Sequence, residues 1–275
     1  MKAYSHKRAR WAIVPALALL GLLFPVSQRI ENDPHYPKEY NQFMLGPERG
    51  NTLSTIREGG TVAIMAMMGG FRPLVVNLLW LKADENWHSG ASGWYKLNPI
   101  LQTICEMDPH FIDAWSTFGW HLAWNVCADA ADQDKPKWIQ AGINAYKRGQ
   151  YFNPDHYDLY KDLAWLYQDK LKDYQAAIPE WQETLKRPDA PIYVRHMLAH
   201  AYENTWQVDR AVATWKECLR IDRRDQVARS AVDWWAEQTS DKQKLDAELM
   251  RILERENRIR KTRRLPLAEQ PFSIK

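Results

Sequence analysis

The stretch that decides the fold is Ile192–Asp225, IYVRHMLAHAYENTWQVDRAVATWKECLRIDRRD. It divides into two short segments whose apolar residues recur at the i, i+3, i+4, i+7 spacing of an amphipathic helix. The predicted inner faces consist of Leu198, Ala199 and Tyr202 in the first helix and of Ala211, Trp215, Cys218 and Ile221 in the second. The chain reverses at Thr205–Asp209. One such hairpin cannot bury its own apolar face, so the pattern predicts packed neighbours of the same kind.

Three upstream stretches carry the same pattern and supply those neighbours. They are Asn77–Pro109, Phe111–Pro154 and Tyr157–Pro188. The closing prolines of the last two stretches are 34 positions apart, whereas the closing prolines of the first two are 45 positions apart. We assign the eleven surplus residues of the middle stretch to a longer turn around Cys127–Lys137, CADAADQDKPK, which is polar.

A fixed pattern of large and small residues runs through these three stretches and through Ile192–Asp225. Degenerate copies of W-x-x-L-G-x-x-Y, followed by A-x-x-x-F-x-x-A and a proline, occupy roughly Asn77–Asp225 in a common register. By these motifs the chain resembles the tetratricopeptide repeat (TPR) family, with departures at Asp84 and Arg223. The resemblance implies an all-α, right-handed α-solenoid of about four TPR helical hairpins with N- and C-terminal helical caps. It also implies binding of proteins or peptides on a concave face, and it implies no reaction.

The resemblance further implies which side chains face the partner. In this family the first helix of each hairpin lines the groove, and the residue after the small-residue position points into it. Those residues here are Glu85, Trp120, Trp165 and His200, with Trp234 in the terminal hairpin, and the residues after the large position are Ser116, Lys161 and His196. The predicted partner-binding groove comprises Trp120, Lys161, Trp165, His196, His200, Glu203 and Trp234. In the alternative interpretation, Trp120 and Trp165 pack against each other or against adjacent repeats.

Two histidines, His196 and His200, lie one helical turn apart with Glu203 on the same face, a spacing that could ligate a metal. The stretch lacks the glutamate of H-E-x-x-H, so it does not support protease chemistry. We interpret the pair as partly exposed groove histidines and predict no metal and no cofactor. The chain also has no serine nucleophile elbow, no phosphate-binding loop and no catalytic carboxylate pair, which predicts that it is not an enzyme.

Composition narrows the class of protein further. The 275 residues carry a net charge of only +3, so the overall charge predicts no attraction to nucleic acid. The three cysteines show no metal-binding or redox spacing, and their odd number does not define a disulfide. Cys105 and Cys218 fall on second helices, where a free thiol acts as a small apolar filler.

The N-terminal region predicts attachment to a membrane. Residues 1–10 are basic and without acidic groups, and they precede the uncharged run Trp11–Val26, WAIVPALALLGLLFPV. We predict a transmembrane anchor over residues 11–27, with a removed signal peptide as the alternative. In both cases the basic end stays in the cytoplasm and the repeats lie outside it. The predicted location is the cell membrane, single-pass, with the repeats on the periplasmic side if the cell has two membranes.

Two segments separate this anchor from the first repeat. Residues 28–60 are rich in Pro, Asn, Glu and Gly, which is typical of a linker. Thr61–Leu81 is apolar enough to suggest a second membrane span, but Arg72, Pro73 and a Gly-Gly pair oppose that interpretation. We predict instead a capping hairpin whose second helix is opened by Pro73. The TPR-like helical domain is expected to run from residue 61 to residue 250.

The C-terminal residues predict a terminal hairpin that closes the array. Ser240 with Gln243 forms a plausible capping box for its second helix. The basic run Arg251–Arg264 is interpreted as a solvated helix end, and binding to anionic lipid or to an acidic partner is the alternative. Residues 251–275 thus comprise a basic helix end followed by a flexible tail over Leu265–Lys275.

These features predict a non-enzymatic, membrane-anchored scaffold that docks a protein or peptide partner in its concave groove. The alternative is a protein that binds cell-wall or other polysaccharide, because tryptophan faces also stack on sugar rings. The sequence names neither the partner nor the pathway.

Overall fold

The computed structural model describes residues 72–88 and 91–269. Over these residues the chain is all-helical, without strands, and its helices pack in succession as hairpins. This confirms the predicted all-α repeat architecture. The anchor at 11–27, the linker at 28–60 and the first half of the predicted N-terminal cap lie outside the described residues. Within the described part, no helix is both long enough and apolar enough to span a membrane.

Five hairpins, A to E, follow one another along the described residues. Their helices are α1 (Arg72–Trp87) and α2 (Ala91–Met107) in hairpin A; α3 (Ile112–Trp120), π1 (His121–Val126), α4 (Cys127–Asp129) and α5 (Lys135–Phe152) in hairpin B; α6 (Asp158–Trp165), π2 (Leu166–Leu171) and α7 (Tyr174–Leu185) in hairpin C; α8 (Tyr193–Asn204) and α9 (Val208–Ile221) in hairpin D; and α10 (Gln226–Gln238) and α11 (Lys242–Arg263) in hairpin E.

Hairpin D shows why the periodic stretch folds as predicted. Six of its seven predicted core residues are buried, and four of the six have no exposed surface, namely Ala199, Ala211, Trp215 and Cys218. The exception is Ile221, which is 46% exposed. Ile221 is the last residue of α9, where the chain leaves the face that α8 and α10 cover. The apolar stripe therefore ends one turn earlier than the sequence pattern predicts.

The surplus residues of hairpin B lengthen its helices instead of its turn. In hairpin B the segments α3, π1 and α4 form one continuous helix, which ends at Asp129. We call the first helix of each hairpin, with any π-helical turn in it, its first rod. The second helix, α5, begins at Lys135. The predicted long turn around Cys127–Lys137 is therefore wrong, since only residues 130–134 separate the two helices. The two helices of hairpin B pack closely, because a Cβ atom at Gly142 would meet the carbonyl oxygen of Gly119 at 2.8 Å. The long α5 thus lies directly on the rod that carries π1.

The predicted N-terminal cap merges with the first repeat. Helix α1 begins at Arg72 and runs without a break to Trp87. Pro73 occupies its first turn, where a proline removes no helical hydrogen bond. The second helix expected for the cap is therefore the first helix of hairpin A.

The last helix is capped by a different residue from the one predicted. The side chain of Asp241 accepts hydrogen bonds from the backbone N–H groups of Gln243 at 2.6 Å and Lys244 at 3.4 Å. Ser240 instead donates its hydroxyl to the carbonyl oxygen of Glu237 at 2.7 Å. Asp241 has the extended backbone conformation that aims its carboxylate at the free N–H groups of the first turn.

Helix α11 runs back along hairpins D, C and B and contacts the turns between their two helices. Glu256 accepts a hydrogen bond from the Tyr174 hydroxyl at 2.9 Å, and Arg260 donates to the carbonyl oxygen of Lys172. Further along, Arg263 donates to the carbonyl oxygen of Asp169, and an Arg264–Asp132 ion pair spans 3.3 Å. The basic helix end therefore binds this chain's own hairpins. The domain boundary predicted at residue 250 falls inside α11.

The first residues of the predicted tail lie against this helix. The backbone N–H of Ala268 donates to the side chain of Asn257 at 2.7 Å, and Asn257 donates back to the Ala268 carbonyl at 3.2 Å. The three cysteines of the chain are all free and buried.

Candidate functional site

Trp120 and Trp165 occupy the same place in successive hairpins. Each is the last α-helical residue of the first rod, and a π-helical turn follows directly, π1 after Trp120 and π2 after Trp165. Both indoles remain substantially exposed, at 40% and 43%. Single π-helical turns within a helix are rare and recur at functional sites. Packing against neighbouring repeats, the alternative interpretation of the sequence, therefore does not enclose either ring.

The first rods of hairpins A, B and C border a cavity of about 530 Å³. Among the described residues, five indoles form its walls, and they are Trp80, Trp87, Trp120, Trp124 and Trp165. Leu97 and Leu101 of α2 and Tyr146 of α5 add to the apolar lining. A cavity of this size matches the range of sites that hold a small molecule or a few side chains. We call it the tryptophan pocket.

The aromatic rings that line the pocket also contact one another. Trp120 lies 5.4 Å from Trp87, centroid to centroid, at an interplanar angle of 34°. It stacks on Trp124 at 6.1 Å with an angle of 10°. Trp120 therefore packs against Trp87 of the adjacent hairpin and also lines the pocket. Ring–ring contacts of this kind fix side-chain orientation before a ligand binds.

Asp162 supplies a half-buried carboxylate to the pocket. Its Oδ2 accepts a hydrogen bond from the hydroxyl of Ser116, which comes from the neighbouring hairpin. Lys161 lies 3.4 Å from Oδ1 of Asp162 and 3.0 Å from Asp158. Burial raises the pKa of Asp162, although Lys161 and Ser116 oppose that shift. Asp84 and Thr117 add polar groups to the same lining.

A second, smaller cavity of about 280 Å³ adjoins the tryptophan pocket across Trp165. Its lining includes Met197 and His200 from α8 and Arg255 from α11. Trp165 is common to both cavities. Of the predicted groove residues, the structure therefore brings Trp120, Trp165 and His200 onto one continuous surface.

Trp234 lies apart from that surface. It is 43% exposed on α10 and borders neither of the two cavities. The guanidinium of Arg251 covers it at 5.6 Å from the ring centroid. Trp234 is predicted to face the groove only from its position within the first helix of its hairpin. That position does not report how the last hairpin packs on the others.

Glu203 is engaged with the core of hairpins D and E. Its Oε1 accepts hydrogen bonds from the indole nitrogens of Trp215 at 2.8 Å and Trp235 at 2.7 Å. Its Oε2 is 2.7 Å from Nδ1 of His200. Burial alone would raise the pKa of Glu203, but the hydrogen bonds from His200, Trp235 and Trp215 outweigh it and hold that pKa below its usual range.

His196 is also paired within the chain, and its partner is not His200. Its Nε2 lies 2.6 Å from Oδ2 of Asp225, and its ring packs 5.1 Å from that of Trp215. His196 thus pairs with Asp225, whereas His200 pairs with Glu203. The two histidines do not share a carboxylate, so they do not form the predicted kind of metal site.

A different group of side chains has metal-ligand character. The ligand atoms of His196, Cys218 and Asp225 lie within 4.8 Å of one another. Burial, with the nearby charge of Asp225, raises the pKa of the Cys218 thiol to about 11, so the thiol keeps its proton at neutral pH. Asp225 also caps α10 by accepting from the N–H of Ala228 at 2.9 Å. Metal binding would require His196 to release Asp225 and the thiol to lose its proton, and the observed contacts account for all three residues as a junction between hairpins D and E.

Sequence reasoning misses three of the five pocket indoles. The repeat pattern places Trp80 and Trp87 on the inner stripe of the first hairpin, and it does not single out Trp124. The signal that could have found Trp124 is its spacing of four from Trp120, which places both on one helical face.

The similarity of this chain to known proteins is found among solved structures. No protein-family model matches the chain, and no curated protein matches it in sequence. Among solved structures, it is similar to a thermophilic TPR protein from Thermus thermophilus. That match has 17% sequence identity and a TM-score of 0.40, and it covers 67% of this chain and 98% of the other.

Proposed function

We propose that this protein is a non-enzymatic TPR-type scaffold that docks a segment of a partner protein across the tryptophan pocket and the adjoining cavity at His200. The observation that carries the proposal is the placement of Trp120 and Trp165, which repeat from hairpin to hairpin and keep about two-fifths of their surface exposed. Large exposed aromatic surfaces on a helical face mark binding sites. Rigid indoles also contribute most of the free energy in many protein interfaces.

The proposed attachment is a single N-terminal anchor at residues 11–27, with the repeats outside the cytoplasm. The basic residues 1–10 and the uncharged run after them support it. A reporter that works only outside the cytoplasm, fused after Lys275, is expected to be active. Activity of a cytoplasm-only reporter at the same place would contradict this topology and would favour a second span within Thr61–Leu81.

A polysaccharide ligand is the second candidate, and one observation favours it. The indole faces of the pocket stand beside hydrogen-bonding groups of Asp84, Thr117 and Asp162, a combination that also suits the apolar face and the hydroxyls of a sugar ring. Both candidates use the same surface, so they differ in ligand and not in site.

One experiment separates the two candidates. Full-length protein in detergent is used to capture ligands from its own cells, in parallel with Trp165→Leu and Trp234→Leu. A stoichiometric protein that is lost with Trp165→Leu and kept with Trp234→Leu supports docking of a partner. Glycan retained with the same pattern supports the polysaccharide candidate. Equal capture by all three proteins would contradict both.

A further inference from the structure

The tryptophan pocket has a one-sided charge. Its described lining residues include the carboxylates of Asp84 and Asp162 and no lysine, arginine or histidine. The nearest cation to Asp162 is Lys161, and Asp158 shares that charge at 3.0 Å. Asp158 and Asp162 therefore share one ammonium group. Asp84, whose Oδ1 lies 3.7 Å from Nδ1 of His88, adds a third carboxylate, so a positively charged group is the complementary occupant.

The indole walls of the pocket also favour a positively charged occupant. The face of an indole ring carries partial negative charge and attracts cations within about 6 Å of the ring centroid. This chain already uses one pocket ring in that way, because Nζ of Lys170 lies 5.4 Å from the ring of Trp124. Trp124 stacks on Trp120, which lines the cavity and is 40% exposed. Apolar walls beside the half-buried carboxylate of Asp162 therefore disfavour anions and favour cations.

The geometry further distinguishes a guanidinium from an ammonium group. The nearly parallel Trp120 and Trp124, with Trp87 tilted by 34°, present flat surfaces against which a planar cation stacks. The carboxylate of Asp162 is held in orientation by Ser116, and both residues line the same cavity. An arginine side chain satisfies both features, because its planar group stacks on aromatic rings and its forked N–H groups match a carboxylate.

We propose that the tryptophan pocket receives an arginine side chain of the docked protein segment, with the guanidinium stacked on the indoles and its charge directed to Asp162. This inference rests on the proposed scaffold function and specifies the chemistry of its partner. The cavity, about 530 Å³, has room for that side chain and for the main chain on either side of it.

The test begins with a library of random twelve-residue peptides displayed on phage and selected on the full-length protein in detergent. Peptides retained by the parent and lost on Trp165→Leu are expected to be enriched in arginine. The best such peptide is then synthesised with arginine and with citrulline, which has the same shape and no charge. We expect the citrulline peptide to bind at least about tenfold more weakly, as the loss of one charge-assisted contact implies.

The decisive comparison repeats both titrations on Asp162→Asn, which keeps an oxygen for Ser116 and removes the charge. We expect the arginine peptide to lose about tenfold in affinity and the citrulline peptide to be nearly unchanged. Trp234→Leu, outside the pocket, is expected to bind both peptides as the parent does. A merely structural effect of Asp162→Asn would weaken both peptides equally and would overturn the proposal.

The possible failures are distinguishable. Selected peptides that depend on Trp165 and lack arginine, or that bind equally well with citrulline, overturn the arginine proposal and leave the scaffold function supported. Selection that enriches no peptide dependent on Trp165 overturns the scaffold function and the arginine proposal together.

Discussion

The carboxylate of Glu203 accepts a hydrogen bond from the indole nitrogen of Trp235, 2.7 Å away and 32 positions later in the chain. The same oxygen accepts from Trp215, so one carboxylate on α8 holds a ring from α9 and a ring from α10. Both rings are buried, which leaves their N–H groups without access to water. This acceptor therefore fixes how hairpin E sits on hairpin D.

Removing that acceptor is expected to destabilise the fold. Glu203→Ala leaves two buried indole N–H groups without their acceptor, at a cost of about 1–3 kcal/mol for each such group. We expect the free energy of unfolding to fall by about 2–6 kcal/mol in urea titrations followed by far-UV circular dichroism. Glu237→Ala is the control, because its ion pair with Lys244 is on the surface. A Glu203→Ala variant as stable as this control would contradict the assigned role.

The same carboxylate predicts an acid-sensitive stability. The pKa of Glu203 is lower in the fold than in the unfolded chain, where it is about 4.3. Its charge therefore stabilises the fold above that unfolded value, and the contribution is lost as the pH falls through the lower folded pKa. We expect the parent to lose more stability than Glu203→Gln on acidification from about pH 5 to about pH 3. Parallel pH profiles for the two proteins would rule out this linkage.

The helices could be predicted from the sequence because their signal is local. Burial on one face of a helix imposes a period of 3.6 residues, and Leu198, Tyr202, Trp215 and the other stripe residues follow it. The same reasoning places Trp120 and Trp165 outside the core stripe. A period of 3.6 residues does not reveal a π-helical turn. Such a turn contains about one extra residue, which shifts the set of positions that face the core from that point onward.

The contacts of α11 lie beyond sequence reasoning for a different reason. Arg260 meets the carbonyl oxygen of Lys172, 88 positions earlier, and a backbone carbonyl has no sequence signature. A basic run is equally compatible with solvent, lipid or a partner when its neighbours in space are unknown. The predicted pocket is incomplete for the same reason, because Trp80 and Trp87 reach it only through the packing of hairpin A on hairpin B.

Helix α11 is expected to depend on one buried ion pair. Arg260 binds Glu256 at 2.9 Å, and both side chains are largely shielded from solvent. Arg260→Ala leaves the Glu256 carboxylate buried with only the Tyr174 hydroxyl, and breaking a buried pair costs about 3–5 kcal/mol. We expect faster proteolysis within α11 under native conditions and a lower free energy of unfolding. The control is Arg220→Ala, whose pair with Glu217 is exposed and contributes little to stability because solvent screens it.

The last prediction separates binding tryptophans from core tryptophans. Trp215 has no exposed surface, so Trp215→Ala is expected to lower the free energy of unfolding by about 3–5 kcal/mol. Trp165 is 43% exposed at the pocket, so Trp165→Ala is expected to leave the melting temperature close to that of the parent. As an anchor, it is instead expected to contribute about 2 kcal/mol or more to partner binding. The measurement pairs thermal unfolding with titration of the Trp165-dependent peptide. If Trp165→Ala unfolds as readily as Trp215→Ala, the indole belongs to the core and the surface it shares with His200 is not a binding site.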